Sequence, residues 1–204
     1  MSIQDITVII TSFRSGTKIK NCIQSIDKQI RVILVENSND LEFKKNIEKE
    51  FDNVECILTG ANLGYGRANN IGLKIVRTKY ALILNPDTTL HKDAIENFLK
   101  VTQKIREFAI IGPYIQEEKN YEEKNNFDDL TAVPVINVKG FAMFLNLSEF
   151  KDIGFFDEIF FFYFEEIDLC KRLVDKGKKI YLAPSIKINH GGGQSHDKSI
   201  NKEM

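Results

Sequence analysis

Several short stretches of this sequence carry groups whose type and spacing could do chemistry. Asn85-Pro86-Asp87 closes an apolar run and offers a carboxylate to a hard divalent cation, which prefers oxygen ligands. Glu165-Glu166-Ile167-Asp168 gathers three carboxylates at one place, any of which could serve as a general base. Thr11-Ser12-Phe13 and Glu36-Asn37-Ser38-Asn39-Asp40 each follow a run of Ile and Val, and a fourth polar stretch runs from Asn62 through Gly64, Gly66 and Asn69 to Gly72. His190 precedes three glycines, which allow a loop to close there. Each stretch has a plainer reading beside the chemical one. Asn-Pro-Asp is also a turn after a strand, and acidic residues favour the first turn of any helix. Asp168 can pair with Arg172 at i,i+4. Gly64-x-Gly66 is no dinucleotide fingerprint, because the third glycine position is Asn69 and the motif follows a third strand.

The elements that must position these groups alternate through the first half. Apolar runs predict strands at 6–11, 32–35, 54–58, 80–84 and 108–111. Helical spacing predicts helices after Ser15-Gly16, with Ile19, Cys22, Ile23 and Ile26 on one face, and over 41–51, 65–78 and 94–105. Such alternation builds an α/β domain with a mostly parallel central sheet and helices on both faces. Ligands then sit beyond the carboxyl ends of the strands, where 11–13, 36–40, 62–72 and 85–87 fall. Four strand ends with oxygens form a rim able to hold a nucleotide and a cation.

The second half is less regular. Residues 116–129 are polar and acidic and predict a solvated excursion. Strands are expected at 133–138, 140–145 and 179–182, with a helix over 163–176 stopped by Gly177. Ser148 is the expected N-cap of a short helix over 149–153 ending at Gly154. The run at 159–164, Ile-Phe-Phe-Phe-Tyr-Phe, is expected in the core and as a wall beside an acceptor site, and is aggregation-prone when unfolded. His91 and His196 are expected at the surface. One domain over 1–190 is expected, with a nucleotide-binding half (1–113), an acceptor-side half (114–190) and a flexible Gly-rich tail (191–204).

Composition narrows the class. The 204 residues are 43% hydrophobic, enough for a core, and 28 Lys and Arg nearly balance 29 Asp and Glu. No basic stripe points to nucleic acid. Three cysteines, Cys22, Cys56 and Cys170, are odd in number and form no C-x-x-C pair, which predicts a reducing compartment and no zinc or disulfide scaffold. No signal peptide is read at the start, and no apolar run reaches the roughly 20 residues of a membrane-spanning helix. The expected place is the cytoplasm, with peripheral attachment at the inner membrane face left open.

In order and content these stretches resemble the family 2 inverting glycosyltransferases of GT-A fold, and the rhamnosyltransferase-like members in particular. The matching pieces are those around Thr11, Glu36, Asn62-Leu63-Gly64-Tyr65-Gly66 and Asn85-Pro86-Asp87, together with Gly140-Phe141-Ala142-Met143, Gly154-Phe155-Phe156-Asp157, Phe164-Glu165-Glu166-Ile167-Asp168 and His190-Gly191-Gly192-Gly193. They cover residues 6 to 195. The resemblance implies a UDP- or dTDP-sugar donor, Mg²⁺ or Mn²⁺ as cofactor, and a saccharide or lipid-linked saccharide acceptor in surface polysaccharide or glycolipid synthesis. It implies Asp87 and His190 as metal ligands, and Thr11, Phe13, Glu36, Asn37, Asn62, Gly64, Gly66, Asn69 and Asn85 at the donor. Glu36 stands where the family has an aspartate reading the nucleobase. Glu166 matches the family's general base, with Glu165 and Asp168 as supporting or alternative carboxylates. Two other readings stand beside it. A sugar-phosphate nucleotidyltransferase would want a glycine-rich basic loop after the first strand, which Thr11 to Gly16 supplies poorly. A non-catalytic nucleotide-sugar binding module or partner subunit would lack acceptor-binding parts.

Overall fold

Isoleucine and valine crowd the first strand, β1 (Ile6–Ser12), and all seven of its residues are buried. A strand covered on both faces reads as such a continuous run. β2 (Arg31–Glu36) and β4 (Tyr80–Leu84) share that character, while β3 (Val54–Leu58), at the sheet edge, exposes Glu55. In the computed structural model, which describes residues 2–114 and 131–191, these four lie parallel in the order β3-β2-β1-β4. Beyond β4 the same sheet continues as β8 (Ala142–Asn146), β6 (Ile110–Tyr114), β9 (Ile180–His190) and β5 (Thr88–Leu90), with β7 (Val133–Val135) also on β9. Here β8 runs antiparallel to both β4 and β6, while β6 and β9 are parallel. The parallel arrangement expected from the alternation therefore holds over β1 to β4, and the rest of the sheet is mixed.

The helices cover both faces. On one side α1 (Lys18–Gln24), α2 (Leu41–Glu50) and α4 (Ala94–Lys104) pack against Val8, Ile10, Leu34 and Phe144. On the other, α3 (Tyr65–Ile75) and α5 (Glu165–Asp175) pack against Ile9, Ile33, Met143 and Leu145. Alternate residues of each strand thus feed opposite layers. Phe144 has no exposure and stacks on Phe98 at 4.7 Å between centroids. Its truncation to Ala costs about 3–5 kcal/mol. The cysteines are all free and buried. No helix among the described residues is long and apolar enough to cross a membrane.

Several expected elements differ in the structure. The strand expected at 179–182 is the eleven-residue β9, which runs through Pro184 to His190 and pairs with β5 by setting Thr88 opposite His190. In place of the helix expected over 149–153 there is a 3-10 turn, Leu147–Phe150. Its cap position is Asn146, and the Ser148 hydroxyl bonds to the Asn146 side chain at 3.0 Å instead of capping. α3 stops at Ile75 because Val76 is extended, with ψ of 137°. α5 starts at Glu165 because Tyr163 and Phe164 are left-handed, with φ of 69° and 73°. Such residues cost about 1–3 kcal/mol each and need surrounding structure to hold them. The run at 159–164 is not core: Ile159, Phe161, Phe162, Tyr163 and Phe164 are all exposed. His91 is exposed as expected. The polar stretch at 116–129, His196 and all but Gly191 of the expected tail lie outside the described residues.

Candidate active site

Parallel register levels the strand ends, so Ser12 lies opposite Glu36 and Ile10 opposite Leu84. Beyond them opens a pocket of about 220 Å³. That is below the roughly 300–1,000 Å³ of a site for a whole drug-sized ligand, so it suits one part of a larger molecule. Thr11, Phe13 and Ser15 wall it from β1, and Asn85 and Pro86 from β4. Asn37, Asn62, Gly64 and Tyr65 close a second side, and Phe161 and Phe162 a third.

The turn after β3 is held by one side chain. Asn37 donates from Nδ2 to the Asn62 side chain at 2.9 Å and to the Gly64 carbonyl at 3.1 Å. Its Oδ1 accepts from the Leu63 N–H at 2.9 Å and the Thr59 hydroxyl at 3.2 Å. Asn37 and Asn62 therefore shape the wall of the pocket, and their hydrogen bonds go to the protein. Gly64 has φ of 84°, and a Cβ there would overlap the Phe161 carbonyl. Its close backbone approach is to that carbonyl, as Gly66 approaches the Phe156 side chain. Asn69 is not at the rim: it has no exposure and donates to the Tyr65 carbonyl within α3. Helix packing explains its position better than ligand contact does. Asp40 of the β2 stretch caps α2, accepting from the Phe43 N–H at 2.8 Å.

Three carboxylates at this rim are short of partners. Glu36 is 2% exposed; Oε1 accepts from the Ser38 hydroxyl at 2.7 Å and the Arg14 N–H at 3.3 Å, while Oε2 is buried and unpaired. Both oxygens of Asp87 are buried without a hydrogen bond, as is the Asn85 Oδ1. Glu165, 5% exposed at the start of α5, leaves its Oε2 unpaired. The great majority of buried polar atoms in folded proteins are satisfied. Orphaned acceptors at one rim mark a place completed by donors or by a cation.

Asp87 is the centre of that place. His190 Nε2 lies 3.4 Å from its Oδ1, in a contact that lacks hydrogen-bond geometry. Phe141 stacks on the His190 ring at 4.5 Å, and the Asn85 N–H donates to the Phe141 carbonyl at 2.8 Å. Burial acts to raise the Asp87 carboxyl, but the interaction with His190, helped by Lys18, holds it below its usual value. Two ligands side by side on a cation, each at about 2.1 Å, are about 3 Å apart. The Asp87 and His190 atoms fit that spacing, and an unsatisfied carboxylate with an imidazole suits Mg²⁺ or Mn²⁺. Among the described residues no three of His, Cys, Asp and Glu converge on a metal site. The remaining ligands would then come from water or a bound diphosphate.

The α5 carboxylates fall into different environments. Asp168 accepts from Arg172 Nε at 2.7 Å, and that guanidinium also donates to the carbonyls of Phe155 and Ile153. Through Arg172, Asp168 helps anchor the turn before α5. Burial pushes the Glu165 carboxyl up, with a smaller push from Glu166 and an opposing pull from its own backbone N–H. Glu166 is half-buried and packs over Gly140, where a Cβ would stand 3.5 Å from its Cγ. Tyr65, a pocket wall, donates its hydroxyl to that same Gly140 carbonyl at 2.6 Å. Burial and then the charges of Glu165, Glu166 and, more weakly, Asp87 push the Tyr65 phenol up, so all four share one electrostatic neighbourhood. Tyr65, Ser15, Pro86 and Phe141 stand inside the stretches that the sequence analysis names, without a site role of their own there; Tyr65 lies between Gly64 and Gly66. Asn70 likewise has no role there, and it clamps the turn before 159–164 by bonding both the N–H and the carbonyl of Phe156.

Known proteins share this frame. The family model for glycosyl transferase family 2 matches residues 7–170. A hexosyltransferase of low-salt glycan biosynthesis, Agl10 from Haloferax volcanii, is 28% identical over 192 residues, covering 83% of this chain and 62% of the relative. The chain therefore spans less than two thirds of that relative's length. An N-acetylglucosaminyl-diphospho-decaprenol L-rhamnosyltransferase from Mycobacterium tuberculosis is 22% identical over 229 residues, covering 90% of this chain and 75% of its own. Among solved structures, GalNAc-T7 with UDP, GalNAc and Mn²⁺ superposes with a TM-score of 0.75 at 12% identity, over 91% of this chain and 43% of that one.

Proposed function

The chain belongs to glycosyl transferase family 2, and from that premise we propose that it moves a hexosyl or deoxyhexosyl group from a UDP- or dTDP-sugar to an acceptor hydroxyl, with inversion. The observation that carries the reading is the pair of orphaned carboxylates Glu36 and Asp87, each next in sequence to a residue that lines one strand-end pocket (Asn37 and Pro86), with Glu166 over the Gly140 that Tyr65 of the pocket wall bonds. The Glu36 Oε2 accepts from a nucleobase N–H, the kind of donor its burial leaves it without. Asp87 and His190 would hold the divalent cation, Mg²⁺ or Mn²⁺. That cation, when bound, offsets the charge of the departing diphosphate.

Glu166 takes the proton of the acceptor hydroxyl as its oxygen bonds to the anomeric carbon. The bond from that carbon to the diphosphate breaks on the opposite face, and the nucleoside diphosphate leaves with the electron pair. One displacement inverts the centre and needs a single general base. The mycobacterial relative, named for a diphospho-decaprenol acceptor, supports a lipid-linked saccharide as acceptor. Calorimetric titration with UDP, dTDP, GDP and ADP in Mn²⁺ tests the donor half of the reading. Tightest binding of UDP or dTDP is expected, and tightest binding of GDP or ADP overturns the assignment of Glu36.

A further inference from the structure

The aromatic segment at 159–164 lends Phe161 and Phe162 to the pocket wall and leaves most of its ring surface exposed, yet its backbone is firmly held. Arg67 Nε donates to the Glu158 carbonyl at 2.9 Å, the Tyr65 N–H to that of Phe161 at 3.0 Å, and the Asp168 N–H to that of Phe164 at 2.9 Å. Meanwhile Ile159, Phe161, Phe162, Tyr163, Phe164 and Ile167 are between 46% and 80% exposed. Four successive exposed residues cannot lie on one face of a strand or helix; they radiate from a turn. Consecutive left-handed residues, Tyr163 and Phe164, shape that turn. A protein that keeps such strain in place to expose aromatic rings has a use for them.

We propose that this segment is a membrane-inserting apex, which seats the pocket at a lipid surface. Three features select a bilayer over a protein partner. Protein interfaces carry a polar rim with roughly one hydrogen bond per 100–200 Å², whereas the side chains of 159–164 offer one polar atom, the Tyr163 hydroxyl. Phe and Tyr on an apex suit the boundary between headgroups and hydrocarbon. The apex is also continuous with the pocket, since Phe161 and Phe162 line it. Insertion therefore brings the pocket to the layer where the headgroup of a lipid-linked acceptor lies, and in that respect the inference rests on the proposed function. Charge at the base is shared out: Arg67 and Lys74 both approach Glu158, at 3.9 and 3.7 Å. The binding is accordingly driven by apolar burial and is indifferent to salt.

The test uses acceptor-free vesicles, so its outcome is separable from that of the sugar-transfer reading. The chain has no tryptophan, and Tyr163→Trp places a lone reporter on the apex. With phosphatidylcholine vesicles its emission is expected to shift to the blue and to be quenched by brominated acyl chains. Ile159→Ser with Tyr163→Ser, which spares the pocket-lining residues, is expected to lower vesicle partitioning by about tenfold or more, with UDP affinity unchanged as the folding control. Partitioning that survives the double substitution overturns the proposal, as does an unquenched reporter. Self-association of the wild-type chain without vesicle binding, abolished by the same substitutions, also overturns it and makes the apex a surface for a second copy.

Discussion

The Tyr65 hydroxyl donates to the Gly140 carbonyl at 2.6 Å, tying a pocket wall on α3 to the turn that enters β8. That turn touches three further parts of the candidate site. Glu166 packs over Gly140, the Asn85 N–H bonds to Phe141, and the Phe141 ring stacks on His190. Tyr65 is thus a positioning residue. Tyr65→Phe keeps the ring and loses the tether, so turnover is expected to fall while UDP affinity and KM for the donor stay near wild type. The stability loss should be about 0.5–1.5 kcal/mol, the net worth of one hydrogen bond. A matched loss of donor affinity and turnover would instead make Tyr65 a donor contact.

Asp87→Ala removes a carboxylate with both oxygens buried and orphaned, a state no other carboxylate among the described residues shares. UDP binding by the wild type is expected to tighten on adding Mn²⁺, and that gain should vanish in the variant. Calorimetry with and without chelator measures it. Equal nucleotide binding in both conditions for the wild type counts against a cation at this site.

Gly64→Ala is a backbone test. Its left-handed φ and the Phe161 carbonyl at the Cβ position leave a methyl group no room. The turn after β3 must move away from 158–164, at a cost of about 2 kcal/mol or more. Chemical denaturation reads the loss, and a stability unchanged from wild type would show that the two segments separate freely.

Glu165 links the site to pH. Its carboxyl, raised by burial, binds a proton more tightly folded than unfolded. Its contribution therefore favours the folded state most at acid pH and fades as pH rises through its raised value. Asp87 acts in the opposite sense: its lowered carboxyl stabilises above its usual range, and that is lost as pH falls through its folded value. Glu165→Gln is expected to raise the melting temperature at neutral pH and to flatten its dependence on the acid side. A lower melting temperature at neutral pH would mean that the ionised carboxylate is a stabilising partner.

How far the sequence could be read follows from what each signal measures. The runs in β1, β2 and β4 are almost wholly buried, so hydropathy and strand coincide, and β4 and the edge strand β3 have the expected bounds. Asp87 and His190 were readable as a pair only through the family's pattern, since β9 and β5 bring them together over a hundred residues apart. Pro184 broke the apolar pattern of β9 and hid that strand's length. Hydropathy placed 159–164 in the core because it scores rings and not the left-handed backbone that turns them out. The Asp168–Arg172 pair follows from i,i+4 spacing, whereas the bonds of Arg172 to the carbonyls of Ile153 and Phe155 and the bond of Asn69 to the Tyr65 carbonyl depend on the folded chain.

The central claim is that Glu166 removes the acceptor proton beside a donor held at Glu36 and Asp87. Glu166→Gln preserves size and helix propensity but cannot take a proton. Its rate of nucleoside diphosphate release from a UDP- or dTDP-sugar with a lipid-linked saccharide acceptor is the direct measurement, made alongside UDP affinity in Mn²⁺. The account predicts a fall in rate of about 10² to 10⁴ with affinity unchanged. Turnover near wild type in Glu166→Gln, with turnover lost in Glu165→Gln, would contradict it.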